Sequence, residues 1–247
     1  MFLKNFSLKA LSAALILASA SGAVFAKGYK GDFKGEACPQ PPMLKTGFYV
    51  GAQAGYESWK VRKSVNSAVP GFFTATSSDT YAANGWLGGL MLGYGAMMSD
   101  WFYLGGEIFA NWNNANYAES RSYTYAPTAF AFSGSGKFSV DNSYGISLLP
   151  GVKISEGTMP YIRLGWNWAN LKNTEGPGAI AGSALPASSK NVTSNGFVFG
   201  VGTEMLLVDN WSARGEYNHT WYNDFFNACN HMPSDNQFTV GLLYHFG

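Results

Sequence analysis

The sequence predicts an all-β protein, an eight-stranded antiparallel up-and-down transmembrane β-barrel preceded by a cleavable signal peptide. Three observations support this prediction. Apolar residues alternate with small or polar residues in eight segments, most of about 11 residues, the length that a tilted strand needs to cross a bilayer. Charged residues make up only 13% of the chain. The links between the segments alternate regularly between short and long.

The composition excludes several classes of protein. A charged fraction of 13% is about half of that in an ordinary soluble domain, so the chain has too few charges to cover a soluble surface. The net charge of +1 provides no basic face for nucleic acid. The mean hydropathy of -0.06 is too low for a bundle of membrane helices. Apolar residues that alternate with polar ones along strands explain both the low charge content and the moderate mean hydropathy, because they form an apolar surface without a long apolar run.

The first element is an export signal over residues 1–26. Lys4 and Lys9 precede an apolar run, which ends in small residues at the positions that a signal peptidase reads. The alternative is a membrane anchor, but an apolar run of about 14 residues is shorter than the roughly 20 needed to span a bilayer. We therefore expect a cleaved signal peptide and a periplasmic N-terminal segment over residues 27–46.

Alternating segments fill the predicted barrel domain, residues 47–247. They span residues 47–59, 84–96, 101–112, 138–154, 160–170, 195–206, 211–221 and 236–246. In the last segment, FTVGLLYHF, Phe238 and every second residue after it are apolar, and residues such as Thr239 and Gly241 fall between them. An open sheet in lipid would leave unpaired backbone groups that cost several kcal/mol each, so we expect the strands to close.

The links between the segments indicate the orientation of the barrel. Short links follow the second, fourth and sixth segments. Long links follow the first, third, fifth and seventh segments, at residues 60–83, 113–137, 171–194 and 222–235. Short turns on one side and long loops on the other are typical of bacterial outer-membrane barrels, in which the turns face the periplasm. The third loop has the Gly-, Ser- and Pro-rich composition of a linker.

The sequence resembles the OmpA-like and opacity-type family of small eight-stranded outer-membrane barrels. The resemblance covers residues 47–246 and rests on GGLMLGYG, GGEIFA, RGEY and the closing YHF. It implies a monomer in the bacterial outer membrane, in contact with outer-membrane lipid and lipopolysaccharide. It also implies that the barrel-assembly machinery recognises the C-terminal strand.

A soluble periplasmic sandwich or lipocalin-type barrel is the alternative for a chain of eight alternating strands. In such folds the outward parity is charged, whereas here the parity opposite the apolar one is rich in Gly, Ser, Asn and Thr. Aromatic residues near the segment ends instead predict an interfacial girdle. The girdle residues are Trp59, Trp101, Phe102, Trp112, Trp168, Trp211, Trp221, Tyr244 and Phe246.

The inward parity carries a predicted network of charged residues. Its members are Glu57, Glu107, Lys153, Arg163, Glu204, Arg214 and Glu216. His245 lies beside them. We expect opposite charges to pair, because a lone charge in a narrow interior is costly. An eight-stranded barrel is only wide enough for its own side chains, so a closed plug is predicted, with an ion or small-solute path as the alternative.

An enzyme that modifies lipids of the outer leaflet is a further alternative. It would need a nucleophile and a base near the outer rim, within hydrogen-bond reach of each other. His219 falls on the outward parity near the end of the seventh segment, but its neighbour on that face is Trp221, and Thr220 falls on the opposite face. The sequence predicts no catalytic residue, no cofactor site and no metal site.

The two cysteines predict no intramolecular disulfide. Cys38 precedes the first segment and Cys229 lies in the fourth long loop, so the two residues fall on opposite sides of the membrane. A disulfide needs the two Cα atoms within about 7 Å. We expect two free thiols, or a Cys38 that pairs between chains.

Function is therefore expected on the long loops, because the barrel itself is a scaffold. We predict a non-enzymatic protein with a structural and surface-interaction role, similar to adhesion, toward a host or matrix ligand. The second loop carries aromatic residues that could grip a partner: Tyr117, Tyr123, Tyr125, Phe130 and Phe132. At the outer rim, Lys60, Arg62 and Lys63 are expected to neutralise lipopolysaccharide phosphates.

Overall fold

A computed structural model describes residues 46–69, 73–125, 130–180, 183–223 and 233–246. Within these ranges the chain forms one antiparallel sheet. Its strands are β1 (Gly47–Val69), β2 (Phe73–Met97), β3 (Phe102–Asn113), β4 (Asn116–Tyr125), β5 (Phe130–Val152), β6 (Thr158–Glu175), β7 (Gly178–Ile180), β8 (Ser183–Leu185), β9 (Ser188–Val208), β10 (Trp211–Tyr222) and β11 (Ser234–Phe246). The predicted signal peptide, Cys38 and Cys229 lie outside the described residues.

The sheet closes on itself as a barrel of eight wall strands. Their order around the wall is β1, β2, β3, β5, β6, β9, β10 and β11, and β11 pairs with β1. Each wall strand pairs with its two neighbours in antiparallel register, so the backbone groups at membrane depth are satisfied within the ring. The predicted all-β, up-and-down barrel is confirmed.

Alternation along each strand separates a lipid-facing surface from the lumen. In β11, Phe238, Val240 and Leu242 are exposed on the outer wall, whereas Thr239 and Leu243 are buried inside. The same division holds in β10, β9 and β6. Exposed apolar residues on the outer wall are stable only against hydrocarbon, so this surface requires a bilayer. Among the described residues, no helix is long and apolar enough to cross a membrane.

Most of the first three links, which were predicted as long loops, form paired strands instead. The ladder of β1 and β2 continues to the pair Val69 and Phe73, and β6 pairs with β9 as far as Glu175 and Ser188. β4 forms a hairpin with β5, and β7 with β8 forms a smaller one. A hairpin beyond the membrane has water on both faces, so its polar composition resembles that of a loop.

The turns on the opposite side are short, as the sequence predicts. Between β9 and β10 the turn consists of Asp209 and Asn210, and Asp209 has a φ of 49°. Asp and Asn tolerate this left-handed conformation, which two-residue hairpin turns require. The Asn210 side chain donates a hydrogen bond of 2.8 Å to the backbone oxygen of His245, which ties the turn to the end of β11.

Candidate functional site: the barrel lumen

Inward-facing side chains divide the described lumen into two polar zones below an apolar cap. The inner zone holds an ion network of Glu107, Arg163, Glu204, Arg214 and Glu216. The outer zone holds Glu57 and Asp235 with several amides. The outer cap is the apolar cluster of Trp59, Ala83, Ala115, Val140, Ala169, Leu171 and Tyr222.

Two arginines hold the ion network together across the lumen. Arg214 Nη2 donates to Glu204 Oε2 at 2.8 Å, and Arg214 Nη1 donates to Glu107 Oε2. Arg163 Nη2 lies 2.7 Å from both Glu107 Oε1 and Glu216 Oε1. The carboxylates come from β3, β9 and β10. Arg163 comes from β6, and Arg214 comes from β10, the strand that also carries Glu216. The network therefore links β3, β6, β9 and β10 from inside the barrel.

Tyrosine rings surround the arginines, and the sequence analysis missed them. The Arg214 guanidinium carbon lies 5.2 Å from the ring centre of Tyr49 and 5.3 Å from that of Tyr161. Tyr49 donates a 2.9 Å hydrogen bond to Glu107, and Tyr161 donates one to Glu216. The cation is thus packed against aromatic faces and satisfied by carboxylates at its edge.

A glycine on the neighbouring strand is the sequence signal that could have predicted the position of each tyrosine ring in the lumen. Tyr49 pairs with Gly93, and Tyr161 pairs with Gly202. A Cβ at Gly93 would meet the Tyr49 ring, and one at Gly202 would lie 2.6 Å from the Tyr161 hydroxyl. Each ring lies across the strand next to it, and only glycine leaves the space.

Ser212, His245 and Glu204 meet at the end of the network that lies nearest the short turns. Ser212 Oγ donates to Glu204 Oε1 at 2.7 Å and lies 3.0 Å from His245 Nε2. The same Nε2 lies 2.8 Å from Glu204 Oε1, and His245 Nδ1 has no partner. In a Ser-His-acid relay the acid holds one ring nitrogen and the serine meets the other. Here one nitrogen meets both, so this geometry does not activate the serine.

The outer zone has carboxylates but no cationic side chain in contact with them among the described residues. Asn113 Nδ2 donates to Glu57 Oε2 at 2.6 Å, and Gln237 Nε2 donates to Asp235 Oδ2 at 2.7 Å. Above them the Trp59 and Tyr222 rings stack with their centres 4.7 Å apart. The sequence analysis missed Asp235 because it precedes the segment assigned to the last strand.

Three sequence predictions about site residues are wrong. Glu57 does not join the ion network, because the stagger of the strands places it in the outer zone. Lys153 pairs with Glu156 at 3.1 Å in the turn after β5, where it reaches water. Trp59 is not a girdle residue: it lies on the same parity as Glu57 and is fully buried in the outer cap.

Trp101 is exposed in the turn before β3, and the other predicted girdle residues lie on the outer wall. Trp101, Trp112 and Phe246 are the most exposed of them, and Tyr244 contacts both Trp211 and Phe246. His219 also lies on the outer wall. Its Nδ1 is 2.8 Å from Asn236 Oδ1, and no described Ser or Thr hydroxyl bonds to it; Thr220 is buried on the inner face.

A closed antiparallel ring with an apolar outer band, aromatic interfaces and a filled polar lumen defines an outer-membrane β-barrel. The family model for the outer membrane protein beta-barrel domain matches residues 11–246, and the chain belongs to this family. The predicted family and the location in the bacterial outer membrane are thereby confirmed. A comparison with curated proteins returned no match.

Several solved structures are similar to this chain. Ail, the attachment invasion locus protein of Yersinia pestis, is 14% identical, with a TM-score of 0.39, and the match covers 82% of this chain and 100% of Ail. Neisserial surface protein A is 16% identical, with a TM-score of 0.46 and coverage of 81% and 98%. The outer membrane protease OmpT from Escherichia coli is 11% identical, with a TM-score of 0.45 and coverage of 83% and 99%.

Proposed function

We propose that this protein is a monomeric, non-conducting and non-enzymatic outer-membrane scaffold that presents extracellular β-hairpins for surface interactions. The observation that carries the proposal is the filled lumen. Glu107, Arg163, Arg214 and Glu216 are each at most 4% exposed, so their packing excludes water from the cross-section of the barrel. An eight-stranded barrel has no space around such a network for a second path.

The outer cap supports the same conclusion at the other end of the lumen. Trp59, Tyr222 and Leu171 are buried at no more than 1% exposure and come from different walls of the barrel. An ion would have to cross an apolar layer and then a set of paired charges. Each step costs free energy in a site of low dielectric constant, so a pore is disfavoured.

Surface interaction is assigned to the hairpins because they extend well beyond the membrane. The ladder of β1 and β2 runs from Lys60 and Ala82 to Val69 and Phe73, an arm of roughly 30 Å. Aromatic side chains occur at its base, where the Tyr81 and Tyr117 rings lie 5.0 Å apart. Long hairpins on a rigid barrel hold a ligand-binding surface away from the lipopolysaccharide layer, as an adhesion-like role toward a host or matrix ligand requires.

Contact with lipopolysaccharide is assigned to exposed lysines on the outward parity. Lys60 lies on β1, and Lys137 and Lys172 lie on the paired arms of β5 and β6. These lysines lie on the hairpin side of the aromatic residues at the membrane interface, where the Tyr144 and Trp168 rings stack with their centres 5.9 Å apart. Cations at this height meet the phosphates of the outer leaflet. The side chains of Arg62 and Lys63 lie outside the described residues.

Single-channel recording in a planar bilayer tests the closed lumen. The purified wild-type barrel is expected to give no stable conductance steps. The control is a variant in which Tyr49, Tyr161 and Arg163 of the inner zone and Trp59 and Tyr222 of the outer cap are replaced by alanine, which removes the large side chains at both levels and should produce conductance. Reproducible ohmic steps from the wild type would overturn the proposal and favour the small-solute pore.

Binding to surfaces is tested on cells. Cells that display the wild-type barrel should adhere to immobilised matrix protein or host cells more strongly than cells that display a variant with residues 62–80 replaced by a two-residue turn. Heat-modified migration on a gel without boiling shows that the variant still forms a barrel. The same comparison is made with each of the four extracellular links shortened in turn. If all four variants adhered as strongly as the wild type, the surface-interaction role would be contradicted.

A further inference from the structure

We infer that the outer zone of the lumen binds one hard cation, such as Ca²⁺, between Glu57 and Asp235. The inference is independent of the proposed surface role. It rests on two buried carboxyl groups that have no cationic partner among the described residues, and on the unpartnered oxygen atoms around them.

The two carboxylates are neighbours inside the barrel. Glu57 on β1 pairs with Gln237 of β11, and Asp235 is two residues before Gln237, on the same inward face. Both residues have 0% exposure, and their charges act on each other. No described Lys, Arg or His lies within ion-pair distance of either, in contrast to the inner network. Two buried carboxylates this close to each other are stable as anions only when a positive species compensates them.

The unsatisfied polar atoms of the described lumen differ between the two zones. In the outer zone the side-chain oxygens without a partner are Glu57 Oε1, Asp235 Oδ1 and Asn167 Oδ1; Asn218 Oδ1 lies between the zones, because the Asn218 amide donates to Glu216 of the ion network. In the inner zone the unpartnered atoms are donors: Arg163 Nε, Arg214 Nε and His245 Nδ1. Trp59 Nε1 is a donor beside Glu57, but one N–H group cannot neutralise two carboxylates.

Asn167 supplies the second, independent indication of a ligand. It lies on β6, across the lumen from β1, with 2% exposure. Its Nδ2 lies 2.7 Å from the Tyr222 hydroxyl. Tyr222 stacks on Trp59 and is two residues from Thr220, the residue that pairs with Asp235. The amide therefore borders the same space, and its free Oδ1 adds a neutral oxygen to the two carboxylates.

The ligand set indicates which cation fits. The unpartnered acceptor atoms are all oxygens, and two carboxylates balance the charge of a divalent ion. Carboxylate, amide and water oxygens are the ligands of hard cations, whereas zinc and copper prefer imidazole or thiolate. Calcium accepts the irregular geometry of such a set better than magnesium does. The cap of Trp59 and Tyr222 lies over the space, so the ion is expected to enter during folding or when the two rings separate.

The experiment uses protein refolded into phosphatidylcholine vesicles that contain no lipopolysaccharide, so that lipid phosphates of lipopolysaccharide do not compete for the ion. Refolding in millimolar Ca²⁺ should raise the thermal midpoint of the wild type by several degrees relative to refolding in EDTA. The double variant Glu57→Gln and Asp235→Asn should lose that shift, with an apparent Ca²⁺ affinity lower by at least about tenfold. Glu175→Gln, on an exposed extracellular arm, is the matched control and should keep it.

A luminescence measurement covers the case in which the double variant does not fold. Tb³⁺ occupies calcium sites and emits when a nearby indole is excited, so Tb³⁺ bound beside Trp59 should lose most of its sensitised emission in Trp59→Phe. Ca²⁺ should displace it from the wild type. If Ca²⁺ did not change the thermal midpoint of the wild type, protons would be what neutralises Glu57 and Asp235, and the inference would be overturned. Full emission from Trp59→Phe, or a Ca²⁺ shift kept by the double variant, would place the ion elsewhere and also overturn it.

Discussion

Replacement of Arg214 by methionine tests the ion network most directly. Arg214 donates to Glu204 at 2.8 Å and to Glu107, and it lies 3.9 Å from Glu216. Methionine keeps much of the volume and the unbranched stem but removes the charge. The three carboxylates are then left in the lumen with Arg163 as the one guanidinium of the network.

The magnitude follows from burial. Removal of one partner from a fully buried ion pair costs about 3 to 5 kcal/mol, chiefly because the other charge is left uncompensated. Arg214 serves three carboxylates and its side chain is 2% exposed, so we expect the upper end of that range, about 5 kcal/mol. The matched control is Lys153→Met. Its partner Glu156 is 45% exposed in a turn, and such a pair contributes about 0 to 1 kcal/mol.

Reversible urea unfolding in phosphatidylcholine vesicles, followed by tryptophan fluorescence, measures both variants. Arg214→Met should lower the urea midpoint far more than Lys153→Met, with an unchanged dependence of the unfolding free energy on urea concentration. If the two variants lost the same free energy, within about 1 kcal/mol, the network would be solvated or absent, and the argument for a closed lumen would lose its main support.

Further predictions concern the wall and its orientation. Leu242→Arg should cost about 2 to 4 kcal/mol in vesicle folding and Phe246→Arg no more than about 1, because only Leu242 lies near the midplane; equal losses would refute the lipid-facing assignment. In a background without native cysteines, Ser188→Cys should react with an impermeant maleimide on intact cells, and a cysteine in the turn between β9 and β10 should not. Gly93→Ala should destabilise the barrel by about 1 to 3 kcal/mol by displacing a tyrosine ring, whereas Gly106→Ala, which meets no atom within 4 Å, should be neutral in the same urea assay.

The barrel was predictable from sequence because a single period determines it. A two-residue alternation decides which side chains face lipid, and the hydrocarbon thickness decides the length of each segment. Parity also placed Glu107, Arg163, Glu204, Arg214 and Glu216 inside. Parity does not predict the position of a side chain along the barrel axis, because that position also depends on the stagger between neighbouring strands.

Position along the barrel axis explains the residues that were assigned wrongly. Glu57 shares its parity with the ion network, yet the stagger of β1 against β10 sets it among Asn113 and Gln237, away from both arginines. Lys153 shares the parity too, but it follows the last residue of β5 and so reaches the turn. The arms were missed for a different reason: outside the membrane, neither face of a hairpin needs to be apolar.

Rings and charges have separate roles in the lumen. Buried ion pairs often contribute little net stability compared with apolar residues of similar size, because desolvation offsets their attraction. The volume of the inner zone is filled instead by Tyr49 and Tyr161, each of which is accommodated by a glycine on the next strand. Once these rings lie on Arg214, its guanidinium has few alternative positions, and the carboxylates of Glu107 and Glu204 must meet it there. The rings therefore close the barrel, and the charges determine which arrangement of the closed interior is stable.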